Sequence, residues 1–153
     1  MKTISEETVS TLNNLIEICC DGADGFGEAA SAVDRPELQE IFRRLSEQRQ
    51  GFAQALRTCV HQLGEEAEDS GSMAAKAHRG WMKLREAITT KDNHTILAEC
   101  ERGEDHALAA YRDAVETFID PIAADLVQRQ YVEVQKSHDI VRDLRDSPTY
   151  QKV

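Results

Sequence analysis

The sequence predicts an all-α domain, a bundle of four long helices with a shorter fifth helix in a crossover connection. Three prolines and eight glycines in 153 residues, with aromatic residues at 5%, supply little of the chemistry that strands and tight turns need. Apolar residues instead recur at intervals of three and four over long stretches, which is the period of an amphipathic helix. A chain of this length can bury a core of its own as a single domain.

The charge composition argues against several classes of partner. Lysine and arginine total 18 against 28 aspartates and glutamates, so the net charge is -10, and the acidic residues are spread along the chain. Such a surface repels phosphate groups, and we therefore expect neither nucleic acid nor an anionic membrane as a partner. No stretch approaches the roughly 20 apolar residues of a membrane span. The amino-terminal stretch MKTISEETVS has no apolar run after its lysine, and we expect a cytoplasmic protein with reduced cysteines.

The first half of the chain predicts one antiparallel pair of long helices. A continuous apolar stripe predicts the first helix at about 4–32. Asp34, Pro36 and Glu37 then form a helix start signal, in which Asp34 is the expected N-cap and Pro36 lies in the first turn. The second helix should run over about 35–66. Because the connection is very short, the two helices must be antiparallel neighbours.

The second half of the chain predicts another antiparallel pair. Asp92 or Asn93 opens a helix at about 93–118, and the tight step at 119–121 leads into the last helix at about 120–146. Residues 148–153 are left as a short tail.

A shorter amphipathic stretch at about 73–89 connects the two pairs, which together make one bundle over residues 1–147. About 17 residues of helix span only about 25 Å, whereas the long helices reach roughly 40 Å. We interpret it as a crossover that makes the second and third long helices parallel. Its Trp81 and Met82 are expected to serve as packing or dimer contacts.

Polar residues interrupt the apolar stripe of each of the last three long helices near its middle. In LAECERGEDHALAAY, Glu101 and Glu104 lie where apolar residues are expected. The second helix places Arg49, with Gln48 beside it, in the same way. The last helix contributes Gln130, Glu133 and Ser137. If the helices pack side by side, their middle layers coincide and these side chains converge, with Glu17 and His138 at the edges of the layer.

Buried carboxylates must be balanced, because an unpaired buried charge costs several kcal/mol. Arg49 with added protons, a bound cation, or water entering an open end of the bundle would each serve. Carboxylates three residues apart on a helix, such as Glu101 and Glu104, suit a hard or borderline divalent metal.

Several stretches resemble an uncharacterised bacterial four-helix-bundle domain family of the ferritin-like superfamily. They are LNNLIEICCDGADGF, HRGWMKLREAI, LAECERGEDHALAAYRDA and VEVQKSHDIVRDLRD, and together they cover nearly the whole chain. The resemblance implies a ferritin-like fold and a domain of unknown function.

Active members of the wider superfamily hold two irons with one Glu on each of two helices and a Glu-x-x-His pair on each of the other two. This sequence departs from that pattern. Glu104 replaces the histidine after Glu101, and Gln135 replaces the glutamate before His138. Arg49 occupies the middle of the second helix, and a complete di-iron site is not expected.

We interpret the central layer as a buried network of Arg49, Gln48 and Gln130 with the carboxylates, in a non-catalytic structural or stress-related protein. The alternative is iron-dependent oxidation or a divalent metal (Fe, Mn or Zn) bound by these residues: Glu101, Glu104, Glu133, Glu17 and His138. A second alternative is a partner-binding module that uses the crossover helix. A homodimer is compatible with each interpretation, and the sequence names no protein partner.

Overall fold

The computed structural model describes residues 2–67 and 80–151, which contain helices and no strand. The helices are α1 (Ile4–Ala32), α2 (Pro36–Gln62), α3 (Leu84–Thr89), α4 (Asn93–Glu116) and α5 (Pro121–Asp146), and a 3-10 turn follows at Pro148–Tyr150. The predicted all-α class is confirmed, and the four long helices have nearly the predicted bounds. Within these ranges, each helix is too short or too polar to cross a bilayer.

Hydrogen bonds at the two ends of the bundle establish how the helices run. At one end, Asn93 at the start of α4 donates to Asp34, which precedes α2 (2.8 Å). At the other end, the Asp120 N–H before α5 donates to Thr8 Oγ1 near the start of α1 (2.9 Å). Helices α2 and α4 therefore start at the same end and run parallel, as predicted, whereas α1 and α5 run the opposite way.

The crossover is less helical than predicted. Residues 73–79 of the predicted helix lie outside the described residues. Of the remainder, 80–83 form a turn, so that α3 has only the six residues from Leu84 to Thr89.

Two of the predicted start signals are confirmed and one is wrong. Asp92 accepts from the Thr95 N–H (3.0 Å), and Asp120 accepts from the Ile122 N–H (2.9 Å), as N-caps do. The predicted N-cap at Asp34 is incorrect, because the N-cap of α2 is Arg35, which makes no side-chain capping bond. Asp34 lies one residue too early in the chain, and its carboxylate instead accepts from Asn93.

Helix α2 ends at Gln62, four residues before the predicted end. Gly64 adopts a left-handed conformation (φ 81°), and the Glu65 N–H donates to the Val60 carbonyl (3.3 Å). This is the glycine-terminated C-cap in which a backbone bond closes the last turn.

Apolar residues form two clusters stacked along the bundle. One contains Leu15, Tyr111 and Val127 and lies towards the α4–α5 turn. The other contains Phe26 and Phe42, lies towards the opposite end, and includes Tyr150. The Tyr150 hydroxyl donates to Glu37 (2.7 Å), so residues 148–150 are packed onto the bundle. The polar residues described next lie between the two clusters.

Candidate functional site

An ion pair between Arg49 on α2 and Glu104 on α4 occupies the middle of the bundle. Arg49 Nη1 donates to Glu104 Oε1 (2.6 Å) and Nη2 donates to Oε2 (2.9 Å). The side chains are 1% and 0% exposed. This bidentate arrangement matches the planar guanidinium to the two carboxylate oxygens and is stronger than a single hydrogen bond.

Side chains from α1, α2 and α5 complete the site. The Ser137 hydroxyl on α5 accepts from Arg49 Nη2 (2.7 Å) and lies 2.5 Å from Glu104 Oε2, to which it donates. Gln48 accepts from Arg49 Nε (3.2 Å). On α1, the Phe26 ring lies 5.5 Å from the centre of the guanidinium, a cation–π distance. All four long helices therefore contact Arg49 or its partner.

A glycine on α1 makes room for the guanidinium. A methyl group at Gly22 would lie 3.3 Å from Arg49 Nη1 and 3.4 Å from its Cγ, which is tighter than ordinary packing. Burial alone would lower the pKa of Arg49. The Glu104 carboxylate more than reverses that effect, so the pKa is raised and the guanidinium stays charged.

A second buried chain of hydrogen bonds lies beside the ion pair. The Tyr111 hydroxyl donates to Gln130 Oε1 (2.7 Å), and Gln130 Nε2 donates to the Phe52 carbonyl (3.3 Å). Because the single hydroxyl hydrogen is used in this way, the Cys19 thiol is the donor across its 3.1 Å contact with Tyr111. Burial raises the pKa of Cys19 to about 11 and that of Tyr111 well above its usual value. These groups are therefore neutral at pH 7.

The indole of Trp81 covers this level of the bundle from the crossover side. It is 4% exposed and lies between two glycines, Gly25 on α1 and Gly103 on α4. A methyl group on Gly25 would lie 2.5 Å from Trp81 Cδ2, and one on Gly103 would lie 2.5 Å from Cζ2. The ring also packs edge-on against Phe26, with 5.0 Å between centroids. Only glycine at both positions admits the indole.

The outer part of the layer contains ion pairs near solvent. Arg145 pairs with Glu101, one turn before Glu104. His138 Nε2 lies 2.6 Å from Asp105 Oδ1, and Nδ1 lies 3.2 Å from Asp139 Oδ1. Burial alone would lower the pKa of His138, but the hydrogen bonds to Asp139 and Asp105 outweigh it and the pKa is raised.

The model of the domain of unknown function DUF2383 matches residues 7–117, which is more than half of the chain. The chain belongs to the DUF2383 family. No curated protein matches it.

A solved structure places this DUF2383 domain in a known fold. It is a two-domain protein from Anabaena variabilis with DJ-1/ThiJ/PfpI-like and ferritin-like domains, and it superposes with a TM-score of 0.76 at 14% identity. The match covers 99% of this chain and 39% of that one, so the chain spans about two fifths of the neighbour's length. The likeness at this identity shows the fold alone, and the ferritin-like prediction is confirmed.

The DUF2383 domain assembles part of the predicted site. Arg49, Glu104 and Gln48 meet as expected, and Gln130 is buried nearby in the Tyr111 chain. Glu101 is displaced towards the edge, where it pairs with Arg145. The prediction that Glu133 lies in the buried layer is wrong. Its side chain is 45% exposed and pairs with Lys136 at 3.3 Å.

The remaining candidate ligands do not join Glu104. Glu17 lies partly exposed on α1, and His138 contacts Asp105 and Asp139. Within residues 2–67 and 80–151, no three His, Cys, Asp or Glu side chains are grouped as a metal site requires. The donor set therefore does not fit the di-iron centre of active ferritin-like proteins, because the Arg49 guanidinium occupies both oxygens of Glu104, whose side chain is 0% exposed.

Several residues of this layer were not assigned from the sequence. Cys19 and Tyr111 lie among apolar residues at helical spacing, so the sequence indicated core packing and not the hydrogen bonds that they form. Trp81 was expected as a packing or dimer contact, and its burial against Gly25, Gly103 and Phe26 agrees with packing. The signal that could have located it is the pair Gly25 and Gly103, since glycine inside a helix costs about 1 kcal/mol relative to alanine and marks a close approach.

Proposed function

We propose that this domain is a non-catalytic ferritin-like bundle in which Arg49 is the cation of the core, in the place where active members of the superfamily hold metal. The observation that carries the proposal is the bidentate pair of Arg49 and Glu104 at 1% and 0% side-chain exposure. A positive charge fixed by the chain neutralises the carboxylate permanently. The domain needs no metal to balance its core.

The surroundings of the pair support a structural role. Both oxygens of Glu104 already accept hydrogen bonds, from Arg49 and from Ser137, so metal coordination would require these bonds to break. The buried indole of Trp81 packs over the layer between Gly25 and Gly103. The thiol of Cys19 and the phenol of Tyr111 are hydrogen-bonded and have raised pKa values, which disfavours both as nucleophiles.

In this proposal the domain acts in the cytoplasm as a structural or stress-related protein, through contacts of its surface and without turnover. The free cysteines Cys19, Cys20, Cys59 and Cys100 suit a reducing compartment.

The rival is divalent metal binding, or iron-dependent oxidation, at Glu101 and Glu104. Elemental analysis of protein purified without chelator, followed by an Fe(II) oxidation assay, separates the two functions. We expect substoichiometric iron, manganese and zinc, and Fe(II) oxidation no faster than in buffer. Bound metal near one equivalent, together with oxidation that Glu104→Gln abolishes, would establish the rival.

A further inference from the structure

Four exposed apolar side chains lie at the end of the bundle formed by the start of α1 and the α4–α5 turn. We call this the apolar tip, and its residues are Ile4, Val115, Phe118 and Ile122. Phe118 and Ile122 are 78% and 74% exposed, and Ile4 is 51% exposed. Phenylalanine and isoleucine at such exposure are unfavourable in water, and clusters of them mark contact surfaces.

Two hydrogen bonds join the segments that carry the residues of the apolar tip. The Asp120 N–H donates to Thr8 Oγ1 (2.9 Å), and the Thr8 hydroxyl donates to the Ile4 carbonyl (2.7 Å). These two bonds hold the first turn of α1 against the turn at Asp120. Phe118 and Ile122 lie two residues before and two residues after Asp120 in the chain, so they belong to the same end of the bundle as Ile4.

The charge around the tip is negative. The segments 2–7 and 112–129 contain six acidic residues (Glu6, Glu7, Asp113, Glu116, Asp120 and Asp125) and three basic ones (Lys2, Arg112 and Arg129). Two of the basic residues are already paired, Lys2 with Glu7 and Arg129 with Asp125. Among the described residues, neither Asp113 nor Glu116 forms a salt bridge.

Two of these acidic residues lie where a negative charge is unfavourable. Asp113 and Glu116 lie in the last turn of α4, which contains no basic residue. The carboxyl end of a helix carries a partial negative charge, so acidic side chains there are locally unfavourable. A cation supplied from outside would compensate both the carboxylates and the helix end. Beside the tip, a groove of about 390 Å³ between α1 and α4 is lined by Lys2, Glu7 and Asp113, and Lys2 is already paired with Glu7.

We propose that the apolar tip binds a basic amphipathic helix of a partner protein. Its apolar side chains would cover Phe118 and Ile122, and its lysines or arginines would face Asp113 and Glu116, as in other helix-in-groove complexes. A second copy of this chain fits less well, because a tip-to-tip dimer would bring two acidic rims together. This inference rests on the proposed function only in that a non-catalytic bundle acts through its surface.

The test uses a synthetic lysine–leucine peptide of roughly four helical turns with an amphipathic pattern, and a glutamate–leucine peptide of the same pattern. Binding to the intact protein is measured by isothermal titration calorimetry. We expect binding of the lysine–leucine peptide only. The double variants F118S/I122S and D113N/E116Q should each weaken it about tenfold or more.

A matched control separates the tip from general attraction to an acidic protein. Met82 and Ile140 are also exposed, at 82% and 47%, but lie away from the tip, and M82S/I140S should change the affinity less than about twofold. Equal weakening by both apolar double variants, or no preference for the basic peptide, would overturn the proposal.

Two other outcomes would also overturn it in favour of a different occupant. The first is self-association in sedimentation that F118S/I122S abolishes. The second is partition of the protein onto neutral phosphatidylcholine vesicles that depends on the same residues. None of these measurements depends on metal content. Failure of the peptide-binding proposal is therefore distinct from failure of the proposal that the domain is non-catalytic.

Discussion

Replacing Arg49 by methionine removes the cation of the core while keeping a flexible side chain of similar length. Arg49 makes two hydrogen bonds to Glu104, one to Ser137 and one to Gln48. In the variant, Glu104 remains at 0% exposure with the Ser137 hydroxyl as its remaining donor. The carboxylate is then a buried charge without a counter-charge.

The expected loss follows from the burial of the pair. Breaking a buried ion pair by removing one partner costs about 3–5 kcal/mol, and the apolar methionine offsets a small part of this. We therefore expect the free energy of unfolding to fall by about 3 kcal/mol, which lowers Tm by roughly 6–12 °C in a domain of this size. Because a proton can neutralise the stranded carboxylate, the loss should be smaller at pH 5 than at pH 8.

Urea unfolding followed by circular dichroism measures the change. The matched control is Arg129→Met, which removes an exposed pair with Asp125 (3.0 Å, side chains 69% and 71% exposed) and should cost less than about 0.5 kcal/mol. The double variant R49M/E104Q should recover part of the loss, because it removes the stranded charge. A cost of R49M below about 1 kcal/mol would refute the reasoning and indicate a hydrated layer or another cation.

Three further predictions concern the residues around the pair. Gly103→Ala should lower the free energy of unfolding by about 1–3 kcal/mol, because the new methyl group would overlap an indole that already packs against Gly25 on its other side. Gly51→Ala, where a methyl group would meet nothing within 4 Å, should instead raise it by about 0.5–1 kcal/mol in the same urea unfolding experiment. Tyr111→Phe should lower the free energy of unfolding in urea by about 1–3 kcal/mol, because the buried side-chain carbonyl of Gln130 loses its hydrogen-bond donor. A comparable loss from the control Tyr131→Phe would contradict the role given to the Tyr111 hydroxyl. The pKa of His138 is raised in the folded protein, so the stabilisation that its charge provides is complete below the unfolded pKa and is lost as pH rises through the folded pKa. His138→Asn should therefore lower the free energy of unfolding by about 0.5–1 kcal/mol at pH 5.5 and change it little at pH 9. A cost that does not change with pH would contradict the ion pair with Asp105.

The positions of the helices were predictable because apolar periodicity and capping residues are local features of the sequence. Apolar periodicity locates α1, and the caps at Asp92 and Asp120 lie where the sequence indicates. Helix α2 ends earlier than predicted because Gly64 adopts a left-handed conformation. The polar residues after Gly64 gave no sign of this end, because they are also compatible with a helix. The predicted cap at Asp34 was wrong because Asp34 lies one residue before the N-cap Arg35, and its carboxylate accepts a hydrogen bond from Asn93 of another helix.

The site was predictable only in part, because helical spacing indicates the face on which a side chain lies but not its partner. Arg49 and Glu104 lie near the centre of their apolar stripes and meet as expected. Glu101 and Glu133 lie at the flanks of their helices, where long side chains can reach solvent or a surface cation. Glu101 pairs with Arg145 because of the way α4 packs against α5. Local sequence patterns do not predict such packing.

The central claim is that Arg49, and not a metal ion, balances the buried carboxylate. A ligand that binds the folded protein raises Tm in proportion to the logarithm of its concentration over Kd. Thermal unfolding of the wild-type protein in chelator, and with excess Fe(II) under anaerobic conditions, Mn(II) or Zn(II), tests the claim most directly. We expect the same Tm in all four solutions, and a rise of several degrees with one metal, absent from Glu104→Gln, would contradict the claim.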